Sequence, residues 1–511
     1  MKRVLTIGLL FAGIFALQAK VELPPIFADN MVLQQQADAA IWGYAKPNAK
    51  VTVTTTWSKA KTTAIADADG KWFARVETPV AGGPYEITFS DGEKTTLKNV
   101  LVGEVWICSG QSNMEMPMKG FSGQPVEGAT DLILGAKTTT LIRSCNLERV
   151  KSFELQNECP ATWYEHTPHG VAEASATAYF FAKRLYETLD VPVGIINVSW
   201  GGTPIQAWMN PELLKKDFAD EIKLDHLETK EWPQKYGFKL PGVLYNGMLH
   251  SVIPFTAKGF IWYQGCDNRM KYEQYKRLQP AFVQMLRQEW GNEKMPFYFT
   301  QIAPYKYEDP NRPEGGYMMW AQAQTLELIP YSGMACTHDA GELACIHPAD
   351  KKVVGDRLAF NALMNDYGYD MFDGKTPVPV KFEFKEGEAI VTFEVGQENG
   401  NRTDVRWISC ADDKGRGVVF VGSQPLSVSA WNTTQDQLQE AMHIGEPTLL
   451  TDSFVLNVDL VQTGVGGTDS WSQRARPYDR YRLLAKNYSY DFWMIPVKSL
   501  AESVSVGRKY Y

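Results

Sequence analysis

From residue 103 to about 370, short apolar runs that stop at glycine or a polar cluster alternate with stretches of helical period. The segments VPVGIINVSWGG (191–202), FTAKGFIWYQG (255–265) and MPFYFTQIAP (295–304) read as buried strands. ATAYFFAKRLYETL (176–189) and YEQYKRLQPAFVQMLRQEWG (272–291) read as amphipathic helices. Strands that are apolar on both faces and separated by helices predict a parallel sheet covered on both sides. Ligands of such sheets bind beyond the carboxyl ends of the strands, and the polar, glycine-rich motifs here all fall there. On either side of this region the period changes to two. KVTVTTTW, KTTAIADADGKWFARVE and GPYEITFSDGEKTTLKNVLV precede it, and VPVKFEFKEGEAIVTFEV and DVRWISCADDKGRGVVFVG follow it. The expected organisation is multidomain, α/β plus all-β: a β-sandwich over 20–102, an α/β domain over 103–375 and a β-domain over 376–511.

Residues 1–19, MKRVLTIGLLFAGIFALQA, hold a basic start, an apolar stretch and a small-residue exit. That is the pattern of a signal peptide, and it implies a periplasmic or secreted protein. As a membrane anchor it is too short, and no later segment is apolar enough to span a bilayer, so membrane insertion is not expected. A net charge of −8, without a Lys/Arg cluster, argues against nucleic acid as a partner. There are seven Cys and no CxxC pair, so neither a metal nor a redox motif is indicated. The oligomeric state is not readable.

The stretch CSGQSNMEMPM (108–118) places one hydroxyl, Ser112, between the amides Gln111 and Asn113 at a strand exit. Turn chemistry alone accounts for such residues. A nucleophile would also need a base and donors for an oxyanion. The later strand exits offer them in order. Gly201-Gly202 exposes backbone N–H groups, Gln264 and Asn268 supply amides, and His347 supplies an imidazole.

The order GQSN, strand-GG, WYQG and IHP resembles the SGNH hydrolases. LPPIFADNMVLQQ (23–35), GEVWICSGQSNMEMPM (103–118), NVSWGGTPIQAWM (197–209), LYNGMLHSVIPFTAKGFIWYQG (244–265) and IHPADKKVVGDRLA (346–359) resemble the sialate O-acetylesterase family within it. The resemblance spans about 20–395. It implies an SGNH-type three-layer α/β/α catalytic domain with a parallel sheet, flanked by N-terminal and C-terminal β-sandwich domains. It implies a carboxylic ester hydrolase acting on an O-acetylated sugar without a cofactor or metal. Ser112 would be the nucleophile and His347 the base. The N–H groups of Ser112 and Gly202, with an amide from Gln264 or Asn268, would form the oxyanion hole. Activity would then rise with pH near ~6.5, the ordinary imidazole value. Two positions depart from the family pattern, because Cys266 and Cys345 stand where acidic residues are common. That leaves Asp339 and Glu342 as the nearest carboxylates to orient His347. It also raises a Cys266–Cys345 disulfide as a substitute tie between the two blocks, the alternative being two free thiols.

Residues from about 395 to 498, including QENGNRTDVRWISC, QPLSVSAWNTT and GVGGTDSWSQRARPYDRYRLLAKNYSYDFWM, resemble the last β-domain of large bacterial β-galactosidases. Trp471 there either packs in a core or offers a sugar-stacking surface. The barrel that carries the galactosidase carboxylates has no counterpart, so galactosidase activity is not implied. The expected function is removal of acetyl groups from sialic acid. The alternatives are acetylated plant polysaccharide (xylan or pectin) as substrate, or a sugar-binding protein whose esterase domain has decayed.

Overall fold

The computed structural model describes residues 20–307, 314–342 and 344–369. Toward the carboxyl end it describes 379–385, 388–393, 401–412, 414–431, 454–461 and 487–509, with residues 434, 437 and 483. Residues 1–19, expected to be a signal peptide, and Trp471 lie outside the described residues. Two compact units divide the chain, 1–378 and 379–511.

A single strand, Lys94–Gly110, organises the first unit. Its first residues, 94–99, are exposed or half-buried except Leu97, and this part pairs antiparallel with Gly82–Ser90. From Val100 to Gly110 every residue is buried, and this half pairs parallel with Val193–Ser199 on one side and Gly259–Tyr263 on the other. The change follows the sequence: an apolar run needs cover on both faces, an alternating one on only one. The expected boundary at 102–103 thus falls inside one continuous strand.

The remaining N-terminal strands fall into two sheets, the one built on Lys94–Gly110 and a separate two-stranded one. Lys50–Thr55 pairs with Lys61–Ile65 and Gly82–Ser90, and Asp38–Tyr44 pairs antiparallel with Lys71–Glu77. Beyond Gly103 the sheet runs, edge to edge, Ser332–Ala335, Phe297–Thr300, Gly259–Tyr263, Lys94–Gly110, Val193–Ser199, Ile142–Leu147 and Ala161–Tyr164. Every pairing is parallel except that of Ala161–Tyr164. The chain leaves the Lys94–Gly110 strand first to one side and later to the other. The topological switch point therefore lies at the end of that strand, where Ser112 sits.

Helices cover both faces. Phe181 and Leu185 of Ala176–Leu189 and Leu358 of Lys351–Asp366 join Trp106, Ile195, Ile261 and Tyr298 in one cluster. On the opposite face Ile107, Ile196, Trp262 and Phe299 meet Tyr275, Leu278 and Phe282 of Tyr272–Trp290 and Met318 of Glu314–Leu328. Each such side chain, fully buried, contributes about 1.5–3 kcal/mol. Ser175 caps the first of these helices, its Oγ accepting from the Ala178 N–H.

In the second unit, Arg402–Ala411, Gly417–Trp431, Val455–Asp459 and Phe492–Val497 form an antiparallel sheet. A helix absent from the sequence reading, Leu500–Lys509, closes on it. Gly507 permits that contact: a Cβ there would lie 2.3 Å from the Trp407 ring. Among the described residues, no helix is long and apolar enough to cross a membrane.

Candidate active site

Ser112 is presented by a sharp turn off the central strand. Gly110 has φ +140°, and a Cβ on it would lie 2.3 Å from the Tyr263 carbonyl oxygen, so only glycine fits. Gln111 ties the turn to the neighbouring strand end. Its N–H donates to the Tyr263 carbonyl at 3.0 Å, and its Oε1 accepts from the Gly265 N–H at 3.1 Å. Ser112 then begins the short helix Ser112–Glu115, so its own N–H has no intrahelical acceptor.

His347 comes from the loop between Ser332–Ala335 and Lys351–Asp366. The Ser112 hydroxyl lies 2.7 Å from its Nε2. Its Nδ1 lies 2.7 Å from Oε1 of Gln124. A carbonyl oxygen can only accept, so Nδ1 carries the proton and Nε2 is left to take the one from Ser112. Phe121 meets the imidazole edge-on, with ring centroids 5.3 Å apart. Burial pushes the imidazole down to about 4, and the charge of Lys351 pushes in the same direction. The imidazole thus lies below the ~6.5 from which the rise of activity was expected.

Neither expected carboxylate orients His347. Asp339 forms a two-pronged pair with Arg357, both contacts at 2.6 Å. Glu342 accepts from the Ala349 N–H at 2.6 Å, bracing the loop rather than the ring. The neutral amide of Gln124 holds the position instead. Nothing in GFSGQPVEG (120–128) marks it in the sequence, since the stretch reads as turn. Its placement depends on Gly120 and Gly123, at φ +77° and +72°, and on the Glu127 N–H, which donates to the Ala349 carbonyl at 2.9 Å.

The expected disulfide is absent as well. Cys266 and Cys345 are both free thiols. Each sulfur is engaged elsewhere: Cys266 Sγ accepts from the Tyr307 hydroxyl at 3.5 Å, and the Cys345 thiol donates to the His347 carbonyl at 3.2 Å.

The amides near the hydroxyl now separate. Gln264 is fully buried, and its Nε2 donates to the Thr203 carbonyl and to Asn268 Oδ1, leaving no hydrogen for an oxyanion. Asn268 Oδ1 accepts from Gln264 and from the Ile205 N–H; of the two Nδ2 hydrogens, one goes to Gln206 Oε1 and the other remains. Of the paired glycines, Gly201 gives its N–H to Glu115 Oε2 at 2.6 Å, and a Cβ on it would lie 3.1 Å from Ser112 Cβ. Glu115 is held by Arg149. Gly202, at φ +69°, faces open space. The Ser112 N–H, the Gly202 N–H and Asn268 Nδ2 thus remain as candidate oxyanion donors. Among the described residues, no group of His, Cys, Asp and Glu could hold a metal ion.

A hydroxyl bonded to a neutral imidazole, itself held at its other nitrogen, is the arrangement that acyl transfer requires. Residues 102–359, half of the chain, match the family described as carbohydrate esterase, sialic acid-specific acetylesterase. The chain belongs to that family. As a member it is a carboxylic ester hydrolase. This esterase is 29% identical over 424 residues to a sialate O-acetylesterase from Homo sapiens, a match covering 75% of this chain and 79% of that one. A carbohydrate acetylesterase from Xanthomonas citri superposes with a TM-score of 0.66 at 29% identity, covering 80% of this chain and 88% of that one. In the esterase's second unit, residues 381–494 match the β-galactosidase small chain. A β-galactosidase from Priestia megaterium is 32% identical there over 111 residues, which is 22% of this chain but 10% of that enzyme.

Proposed function

We propose that the protein is an exported carbohydrate O-acetylesterase that removes acetyl groups from O-acetylated sialic acid through an acetyl-enzyme on Ser112. The observation that carries this reading is the 2.7 Å contact between Ser112 Oγ and His347 Nε2. Ser112 Oγ attacks the acetyl carbonyl carbon while its proton passes to Nε2. The oxyanion is held by the Ser112 N–H, the Gly202 N–H and Asn268 Nδ2. As the intermediate collapses, the C–O bond to the sugar breaks and the sugar oxygen takes the proton from Nε2. Water then attacks the acetyl-enzyme, giving its proton to Nε2, and acetate leaves as Ser112 recovers its hydrogen. Gln124 holds the tautomer throughout. The sheet with helices on both faces supports an SGNH-type three-layer domain. Export is supported by the basic start, apolar stretch and small-residue exit of residues 1–19.

The test is acetate release from O-acetylated sialosides, acetylated xylan and a small aryl acetate. We expect release from the sialosides and the aryl acetate, and Ser112→Ala to lower both by about 10⁴-fold or more with the fold intact. Release from xylan in place of sialosides would move the substrate to plant polysaccharide. No hydrolysis of any of the three would leave a sugar-binding protein.

A further inference from the structure

The amide on the other side of Ser112 leads to a buried charge. Asn113, 1% exposed, donates through Nδ2 to the carbonyl of Ile346 at 3.0 Å, one residue before His347. Its Oδ1 accepts from the ammonium of Lys351, which is also 1% exposed. Its backbone carbonyl accepts from the Thr177 hydroxyl at 2.9 Å. One side chain therefore links the nucleophile's helix, the base's loop and a lysine.

The placement of that lysine is costly. Buried ammonium groups are rare unless paired. Among the described residues, no carboxylate lies within ion-pair distance of it. It is also the first residue of Lys351–Asp366, the helix end whose dipole disfavours a cation. The Tyr263 ring, 6.0 Å away, offers a weak face. Burial pushes the ammonium down to about 7, against the opposing pull of Cys345, Glu342, Cys266 and Asp350. Glu342 and Asp350 bracket the His347 loop, whereas Cys345 and Cys266 are the thiols that stand where the family commonly has acids.

We propose that Lys351 is a positioning residue of the reaction: through Asn113 it sets the nucleophile against the base, and its ammonium keeps His347 in the base form. The proposal rests on the Ser112–His347 reading. It accounts for a third member of the site that is neutral. With Gln124 rather than a carboxylate behind the ring, nothing draws a proton onto His347 in the resting enzyme, and Lys351 repels one. An amide and a buried cation together replace an acidic orienting group.

The experiment uses the full chain and an aryl acetate, with kcat and KM followed from pH 3.5 to 9. Lys351→Met keeps the length of the side chain and removes its charge and hydrogen bond. We expect kcat to fall about 10- to 100-fold with KM nearly constant, the range seen when reacting groups lose their alignment. We also expect the acid limb of kcat/KM to move upward, toward ~6.5. Asn113→Ala should lower kcat while leaving the acid limb near its wild-type position, because the ammonium remains. Lys352→Met is the control, an exposed neighbour paired with Asp356, and should change neither. A Lys351→Met enzyme with wild-type kcat and acid limb would overturn the proposal, as would an equal shift in Lys352→Met. Should Lys351→Met not fold, wild-type kcat in Asn113→Ala overturns it. Full activity in Ser112→Ala would sink both this and the underlying reading, whereas an inactive Ser112→Ala beside an unchanged Lys351→Met sinks this one alone.

Discussion

Gln124 is the residue that sets the chemistry of this site apart. A carboxylate behind a catalytic imidazole does two things, orienting the ring and stabilising its charged form; an amide does only the first. The consequence is a base that stays neutral well into acid, with His347 held at about 4 by burial and by Lys351. We therefore expect kcat/KM to rise through pH about 4 and to show no inflection from His347 near 6.5. Gln124→Glu should restore the missing attraction, since a carboxylate within contact favours the charged ring, and should move the acid limb up by about 1–3 units. A pH–rate profile of the two enzymes on an aryl acetate checks this; coincident acid limbs would show that Gln124 does not face the titrating group. The sign for stability is related. Between pH ~6.5 and about 4 the unfolded chain binds a proton on this His and the folded chain does not, so stability falls as pH drops through that window. Gln124→Glu should narrow the window.

Among the elements, the turn after Lys94–Gly110 does the most for the site. Gly110 brings the strand end so close to Tyr263 that a methyl group has no room, and at φ +140° the backbone is barred to other residues. Gly110→Ala should cost about 1–3 kcal/mol in backbone strain alone, with the clash added, and should displace Ser112. Denaturant unfolding beside the aryl-acetate assay checks it, and wild-type stability in that variant would mean the turn relaxes. This turn was legible in the sequence because strand, glycine and serine are consecutive. The helices Ala176–Leu189 and Tyr272–Trp290 were legible for the same reason, since period and cap are local. Gln124 and Lys351 were not. Each reaches the site through a loop or helix whose course is set by distant contacts, such as the Glu127 N–H on the Ala349 carbonyl. The Cys266–Cys345 bridge failed for a related reason. Convergence of two blocks on one site does not aim two sulfurs at each other, and here each found a nearer partner in Tyr307 or the His347 carbonyl.

At the scale of the whole chain, the chemistry and the β-galactosidase likeness are carried by different units. Ser112, Gln124, Gly202, Asn268, His347 and Lys351 all belong to the unit 1–378, and their fixing contacts come from within it. The unit 379–511 carries the match to the β-galactosidase small chain, and the Priestia megaterium relative is matched over 10% of its length. Two outcomes follow from this division. The full chain should release no galactose from an aryl galactoside, while its hydrolysis of an aryl acetate is lost on Ser112→Ala. A chain ending at residue 378 should keep aryl-acetate turnover within a few-fold of the full protein, because the contacts that fix Ser112, His347 and Gln124 are made by residues of the unit 1–378. Circular dichroism on the shortened chain separates loss of fold from loss of function. If it is folded and inactive toward the aryl acetate, the second unit contributes to the reacting geometry itself. If it keeps the aryl acetate but loses acetylated sugars, the second unit acts on substrate recognition, and sugar binding becomes the function to seek in its β-sheet.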